Sequence, residues 1–249
     1  MTEQETPLMD HLVELRSRLL RMVAAILLAF LLIAPFARQL FTWLAEPLAR
    51  HLPTESSLIA TQVASPFLTP FKLALVAAVF VVVPYLLYQL WAFVAPGLYQ
   101  REKRLVLPLM LASSVLFYLG AAFAWIVVFP LIFGFFVAVA PEGVAVMTDI
   151  HHYLNFVLSL ILAFGLAFQV PVVTVLAVRA GLTTPAALKQ KRPYVLVGVF
   201  VIGMLLTPPD VISQTLLALP VYALFELGLV MAYWLVPGIK EVEAQRGER

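Results

Sequence analysis

The sequence contains no cysteine, which excludes disulfides, thiolate metal sites and thiol nucleophiles. Charge is scarce as well. Asp, Glu, Lys and Arg make up 12% of the 249 residues, against about 25% in an ordinary soluble domain. The four histidines are scattered, and no His-Glu-x-x-His, Gly-x-Ser-x-Gly or phosphate-loop pattern occurs. Ser113, Ser114 and Ser159 sit in apolar stretches with no histidine inside a span to activate them. His151 and His152 lie at the edge of such a stretch. No catalytic residue, cofactor or metal site is therefore expected, and the chain does not read as an enzyme. An internal repeat is also missing, and with it the inverted-repeat signature of many transporters.

What the chain has in excess is apolar surface. Hydrophobic residues make up 63% and the mean hydropathy is +0.99, more than a soluble fold of this length can hide. The expected fold is an all-α polytopic membrane protein, a single transmembrane domain over residues 1–249. A spanning helix needs about 20 mostly apolar residues. Six such stretches are placed at about 19–37, 71–94, 105–133, 152–178, 194–206 and 211–236. The run Thr207-Pro208-Pro209-Asp210 ends the fifth, because adjacent prolines cannot continue a helix. That leaves about 20 Å of helix at 1.5 Å per residue, too short for a full hydrocarbon core. The fifth and sixth helices are thus read as short spans, with a re-entrant hairpin as the alternative. The first fifteen residues carry Glu3, Glu5, Glu14 and Asp10 before any basic residue. A cleaved signal begins basic, so the first apolar stretch is expected to remain as an anchor.

Topology follows from the bases. With the N-terminus inside, thirteen of the sixteen Lys and Arg residues fall in cytoplasmic segments, and only Arg38, Arg50 and Lys72 fall outside. Six spans with both ends in the cytoplasm satisfy this. The clusters flank spans, so topology explains them and nucleic acid is not an expected partner. On the outer side, Phe36, Leu40, Leu44 and Leu48 recur every fourth residue, the stripe of a short amphipathic helix. Pro47, Pro53, Pro66 and Pro70 are expected to chop the rest into a folded cap between helices one and two.

Ionisable groups inside spans mark function by default, and few are present. Gln169 is the main buried polar residue, and Glu226 lies in the cytoplasmic half of the sixth span. Such a thin polar path argues against a self-contained pump, although a small-solute secondary transporter stays as the alternative function. The cytoplasmic side is richer. His11-Leu12-Val13-Glu14-Leu15-Arg16 opens an amphipathic helix, in which Glu14 and Arg18 are spaced to pair with each other. Glu102 stands among Arg101, Lys103 and Arg104. It reads either as a neutralised surface charge or as a carboxylate kept for a cationic ligand. Two such carboxylates could each grip a guanidinium by a bidentate contact.

These residues, taken together, resemble the TatC family, the multi-span receptor subunits of the twin-arginine (Sec-independent) protein translocase. The anchors are His11-Leu12-x-Glu14-Leu15-Arg16, Ser65-Pro66-Phe67 with Thr69-Pro70, and Phe93-x-x-Pro96-Gly97-Leu98-x-x-x-Glu102. Phe164-Gly165 with Pro171, Arg192-Pro193-Tyr194 and Thr207-Pro208-Pro209-Asp210 complete them. The resemblance covers about His11 to Tyr233. It implies a receptor in the bacterial cytoplasmic (inner) membrane that binds twin-arginine signal peptides of folded cargo. It implies TatA-like and TatB-like single-span partners, several copies per complex, and export driven by the proton motive force. By the same resemblance, Glu14, Leu15, Arg16, Phe93 and Glu102 contact the signal peptide. Pro47 belongs to the outer cap and Asp210 to the last outer loop. Gln169, Met204 and Leu205 meet a partner helix, with Gln169 facing a groove made by spans four to six. Gln169 departs from the family pattern, where a glutamate is common. An amide keeps the hydrogen bonds but cannot titrate, which weakens any proton-relay role there.

Overall fold

The computed structural model describes residues 5–51, 59–98, 106–139, 149–206 and 211–236. Among these the chain is helical almost throughout. No strand occurs, and one isolated bridge joins Ile59 to Asp149. The helices are α1 (Glu5–Ile33), α2 (Ala37–His51), α3 (Ser65–Leu98), α4 (Val106–Phe123), α5 (Phe129–Val139), α6 (Ile150–Ala167), α7 (Val170–Arg179), α8 (Pro185–Gln190), α9 (Arg192–Leu206) and α10 (Val211–Leu235). Five stretches are long and apolar enough to cross a membrane: His11–Leu44, Ser65–Val94, Leu107–Phe135, Ile150–Arg179 and Gln214–Leu235. Arg192–Leu205 is a shorter apolar helix. Five long stretches and one short one fit the expected all-α polytopic class.

Several helices differ from their expected form, and proline accounts for most of the differences. Prolines 47, 66 and 70 do not chop the cap. Pro66 sits in the first turn of α3, where its missing N–H costs nothing. Pro47 and Pro70 lie inside continuous helices. Pro53 lies outside the described residues. The third span is not one α-helix. Residues Ala124–Val128 form a π turn in which the Phe129 amide reaches back to the Ala124 carbonyl. Pro130 follows and has no N–H to offer Ile126. The fourth span breaks between α6 and α7. Gln169 N–H donates to Leu166 O, three residues back, at 2.9 Å. Pro171 cannot donate to Ala167. The fifth helix is short, 15 residues or about 22 Å. The sixth is not short: α10 runs 25 residues with Pro220 inside. A spanning helix tolerates such a proline because its neighbours re-satisfy the freed backbone.

Close contacts group the chain into two compact units, residues 1–114 with 143–158 and residues 115–142 with 159–249. In the first, α1 and α2 pack on α3. Its buried side chains include Leu73, Ala74, Ala78, Leu87 and Trp91. The Trp91 indole donates to Ser113 Oγ at 2.9 Å in the interior, and Ser114 Oγ donates to the Met110 carbonyl. Both serines are therefore engaged in packing. In the second unit, α10 packs on α7 and α9. Two glycines bring backbones together there. A Cβ on Gly120 of α4 would stand 2.5 Å from the Phe164 carbonyl oxygen. One on Gly228 of α10 would stand 3.0 Å from Pro171 Cα. Small residues at such crossings let spanning helices approach closely. Leu31, Leu32, Val197, Leu205 and Trp234 are among the exposed large apolar side chains, as expected of surfaces that face lipid rather than water.

Candidate functional site

The first unit carries a polar ladder between α1 and α3. On α1, His11, Glu14 and Arg18 are three and four residues apart and so share one face. On α3, Tyr85, Gln89 and Phe93 recur every fourth residue and do the same. The two faces meet. The His11 ring stacks on Phe93 with centroids 4.2 Å apart and planes 17° from parallel. Arg18 donates from Nε and NH2 to Glu14 Oε1 at 2.9 and 2.7 Å. Its NH1 donates to Gln89 Oε1 at 3.0 Å. Gln89 Nε2 in turn donates to the Tyr85 hydroxyl at 2.8 Å. A guanidinium only donates, so the Arg18 contact fixes which end of the Gln89 amide is oxygen. The pair is graded in exposure, with the Arg18 side chain 17% exposed and that of Glu14 39%. Gln89 is 4% exposed.

Of the expected signal-peptide contacts, Glu14 and Phe93 thus lie on facing helices of one ladder. Leu15 and Arg16 are exposed on the same α1 turn. The partner that holds Glu14 is Arg18. Glu102 and Asp210 lie outside the described residues. Pro47 falls within α2, and its side chain is not described. Gln89 was missed: a single amide in an apolar run gives no sign of what faces it. Arg18 was legible as the fourth residue after Glu14, but its link to α3 was not.

At the end of the first unit formed by residues 59–72 and 149–155, a second network pins two segments together. Asp149 precedes α6 and caps it, accepting from the amides of His151 (2.9 Å) and His152 (3.0 Å) through Oδ1. Its Oδ2 accepts from the Thr61 amide at 2.9 Å and the Thr61 hydroxyl at 2.6 Å. The Ile150 amide donates to Ile59 O at 3.0 Å. These donors, Thr61 foremost, hold the Asp149 carboxyl far below the usual carboxylate range. Lys72 Nζ donates to Asn155 Oδ1, and Asn155 Nδ2 meets His151 Nε2 at 2.9 Å. The cap signal of Asp149 is readable in sequence. Its long-range partner is not.

In the second unit, Gln169 is 9% exposed, and its amide reaches the Gly165 carbonyl at 3.5 Å. It is used inside the packed helices. Met204 and Leu205 are 51% and 78% exposed on α9. Met204 lines an open groove of about 250 Å³ with Leu196, Val197, Phe200, Val201 and Gln214. Gln214 Nε2 donates to the Phe200 carbonyl at 2.7 Å, tying α10 to α9. Met204 therefore joins the groove, whereas Gln169 is not part of its lining. Glu226 is paired: Arg192 NH2 donates to its Oε2 at 2.5 Å. The buried polar side chains among the described residues are hydroxyls and amides: Ser65, Thr69, Gln89, Ser113, Ser114, Gln169, Thr174 and Thr184, with Tyr153. Among the described residues no group of three or more His, Asp or Glu comes together.

The family model described as "Sec-independent protein translocase protein (TatC)" matches residues 10–220. A Sec-independent protein translocase protein TatC of Azotobacter chroococcum mcd 1 is 57% identical over 228 residues, covering 92% of this chain and 89% of that one. The TatC of Escherichia coli strain K12 is 54% identical over 234 residues, covering 94% and 91%. A crystal structure of a twin arginine translocase receptor, TatC, superposes with a TM-score of 0.82 at 36% identity. It covers 90% of this chain and 98% of that one.

Proposed function

The chain belongs to the TatC family of Sec-independent protein translocase proteins, and on that premise we propose that it is the signal-peptide receptor of a twin-arginine translocase. It is a multi-pass membrane protein of protein transport. In this reading it forms one transmembrane domain of six spans in the bacterial cytoplasmic membrane, with both termini inside. The sorting of thirteen of the sixteen bases to one side supports that orientation.

Glu14 and Glu102 receive the two arginines of the signal peptide, with Leu15, Arg16 and Phe93 beside them. One observation carries this assignment. Glu14 is a partly exposed carboxylate that already binds a guanidinium, that of Arg18, through two N–H groups. Charge-assisted contacts of about 1.5–3 kcal/mol each, less where solvent screens them, suit a receptor that must later let go. Arginine is preferred over lysine because a planar fork meets a carboxylate where a point charge cannot.

TatA-like and TatB-like single-span proteins dock on α9, where Met204 and Leu205 are exposed beside an apolar groove. Gln169 sets register from within the helix pack, and Pro47 and Asp210 belong to the outer face. Several copies assemble, and the proton motive force drives export. Binding of labelled signal peptides to the purified full-length chain tests the site. An Arg-Arg peptide should bind tighter than its Lys-Lys counterpart, and Glu14→Gln and Glu102→Gln should each weaken it. Equal binding of both peptides, or no effect of either variant, overturns the assignment.

A further inference from the structure

We infer that Arg18 is a built-in competitor for the signal-peptide arginines: in the ligand-free receptor it occupies the carboxylate that the peptide must engage. The inference rests on Glu14 being a peptide contact, as proposed above. Arg18 engages Glu14 through its guanidinium, with Nε and NH2 both donating to Oε1 at 2.9 and 2.7 Å. Among the described residues no bond is made to Glu14 Oε2. The side chains are layered. Arg18, 17% exposed, lies behind, and Glu14, 39% exposed, lies in front. An arriving peptide therefore meets a carboxylate whose charge is already neutralised from the inner side. Arg16 and Arg21, exposed on the same helix, carry the peptide's own sign of charge.

Gln89 makes the competition reversible. It accepts from Arg18 NH1 at 3.0 Å and is itself held by Tyr85. Gln89 is 4% exposed and sits on the other helix, so this bond does not depend on Glu14. When a peptide takes the carboxylate, Arg18 keeps one partner instead of losing all. The device is thus an arginine parked between two acceptors, one buried and permanent, one exposed and contested. Its effect is to weaken every cationic ligand at Glu14 by the same factor, because any ligand has to displace the same bond. Affinity falls while the preference for arginine over lysine is untouched.

The test uses the full-length chain in lipid nanodiscs, with fluorescence anisotropy of peptides carrying an Arg-Arg or a Lys-Lys core. Arg18→Gln should tighten both peptides by about 1.5- to 5-fold, the worth of a partly exposed ion pair, and leave their ratio unchanged. Arg18→Lys keeps the charge but replaces a guanidinium of three nitrogens by one ammonium, which holds the carboxylate less well, so it should fall between. In a Glu14→Gln background, Arg18→Gln should have no further effect. Weaker or unchanged binding by Arg18→Gln, with Glu14→Gln still weakening it, overturns the competitor and leaves the receptor reading intact. If Glu14→Gln is silent in both backgrounds, Glu14 is not a peptide contact and both ideas fail. Should Arg18→Gln not yield a monodisperse protein, Arg18→Lys decides: unchanged or weaker binding overturns the competitor.

Discussion

Replacing Gly120 by alanine should push α4 and α6 apart in the second unit. The added methyl would stand 2.5 Å from the Phe164 carbonyl oxygen and 2.9 Å from two Phe168 ring atoms. A relaxed C···O contact is about 3.3 Å or more, so one backbone must retreat by roughly 0.8 Å. The oxygen cannot move by itself. It accepts the Phe168 amide at 3.0 Å, and the Phe164 side chain is 1% exposed. Overpacking of a rigid interior costs about 1–3 kcal/mol. Alanine gains some helix preference over glycine, which Gly134→Ala measures, because a Cβ there meets nothing within 4 Å. Gly165→Ala should be intermediate, since its Cβ meets the Phe117 ring at 2.7 Å, a side chain rather than backbone. Stability of each variant in mixed micelles, followed by circular dichroism on adding a denaturing detergent, gives the comparison. Gly120→Ala should be less stable than Gly134→Ala by about 1–3 kcal/mol. Equal stability of the two would refute the close approach of these helices.

Other outcomes follow from the polar contacts. Asp149→Ala should speed amide exchange at Thr61 and Ile150, and Thr61→Val should do so less because the backbone donor remains. Asp149 is held below its unfolded value, so its contribution is present above the usual carboxylate pKa and is lost only as pH falls through the depressed one. Exchange at Thr61 should therefore stay protected from neutral pH down to about pH 4, whereas an ordinary carboxylate would have begun to release. Arg192→Gln should destabilise the second unit more than Arg192→Gln with Glu226→Gln, because the single change leaves Glu226 charged within a span without its ion-pair partner. Photo-crosslinkers at Met204 or Leu205 should capture single-span partners, and one at Leu154, 1% exposed in the first unit, should not.

Much of the membrane architecture was legible because an apolar run long enough to span is a strong signal by itself. The prolines were the weak point. Rules learned in water treat Pro47 and Pro70 as helix breakers, yet both lie inside helices here. Pro171 and Pro130 do perturb their spans, one with a break and one with a π turn, and the sequence pattern does not tell the two outcomes apart. The sixth helix looked short only because the fifth is. Nothing interrupts Val211–Leu235 once Pro208 and Pro209 are passed. At the candidate site, Glu14 and its neighbour Arg18 were readable from their spacing. The Gln89 anchor and the Thr61 partner of Asp149 required knowing which helices touch, information that periodicity within one helix does not contain.

The proposed recognition of paired arginines is what would make this chain a receptor. Its most direct test is co-purification of the full-length protein with a folded cargo that carries a twin-arginine signal, repeated with both arginines changed to lysine. Retention of the Arg-Arg cargo and loss of the Lys-Lys cargo is the expected result. Equal retention of the two would contradict it.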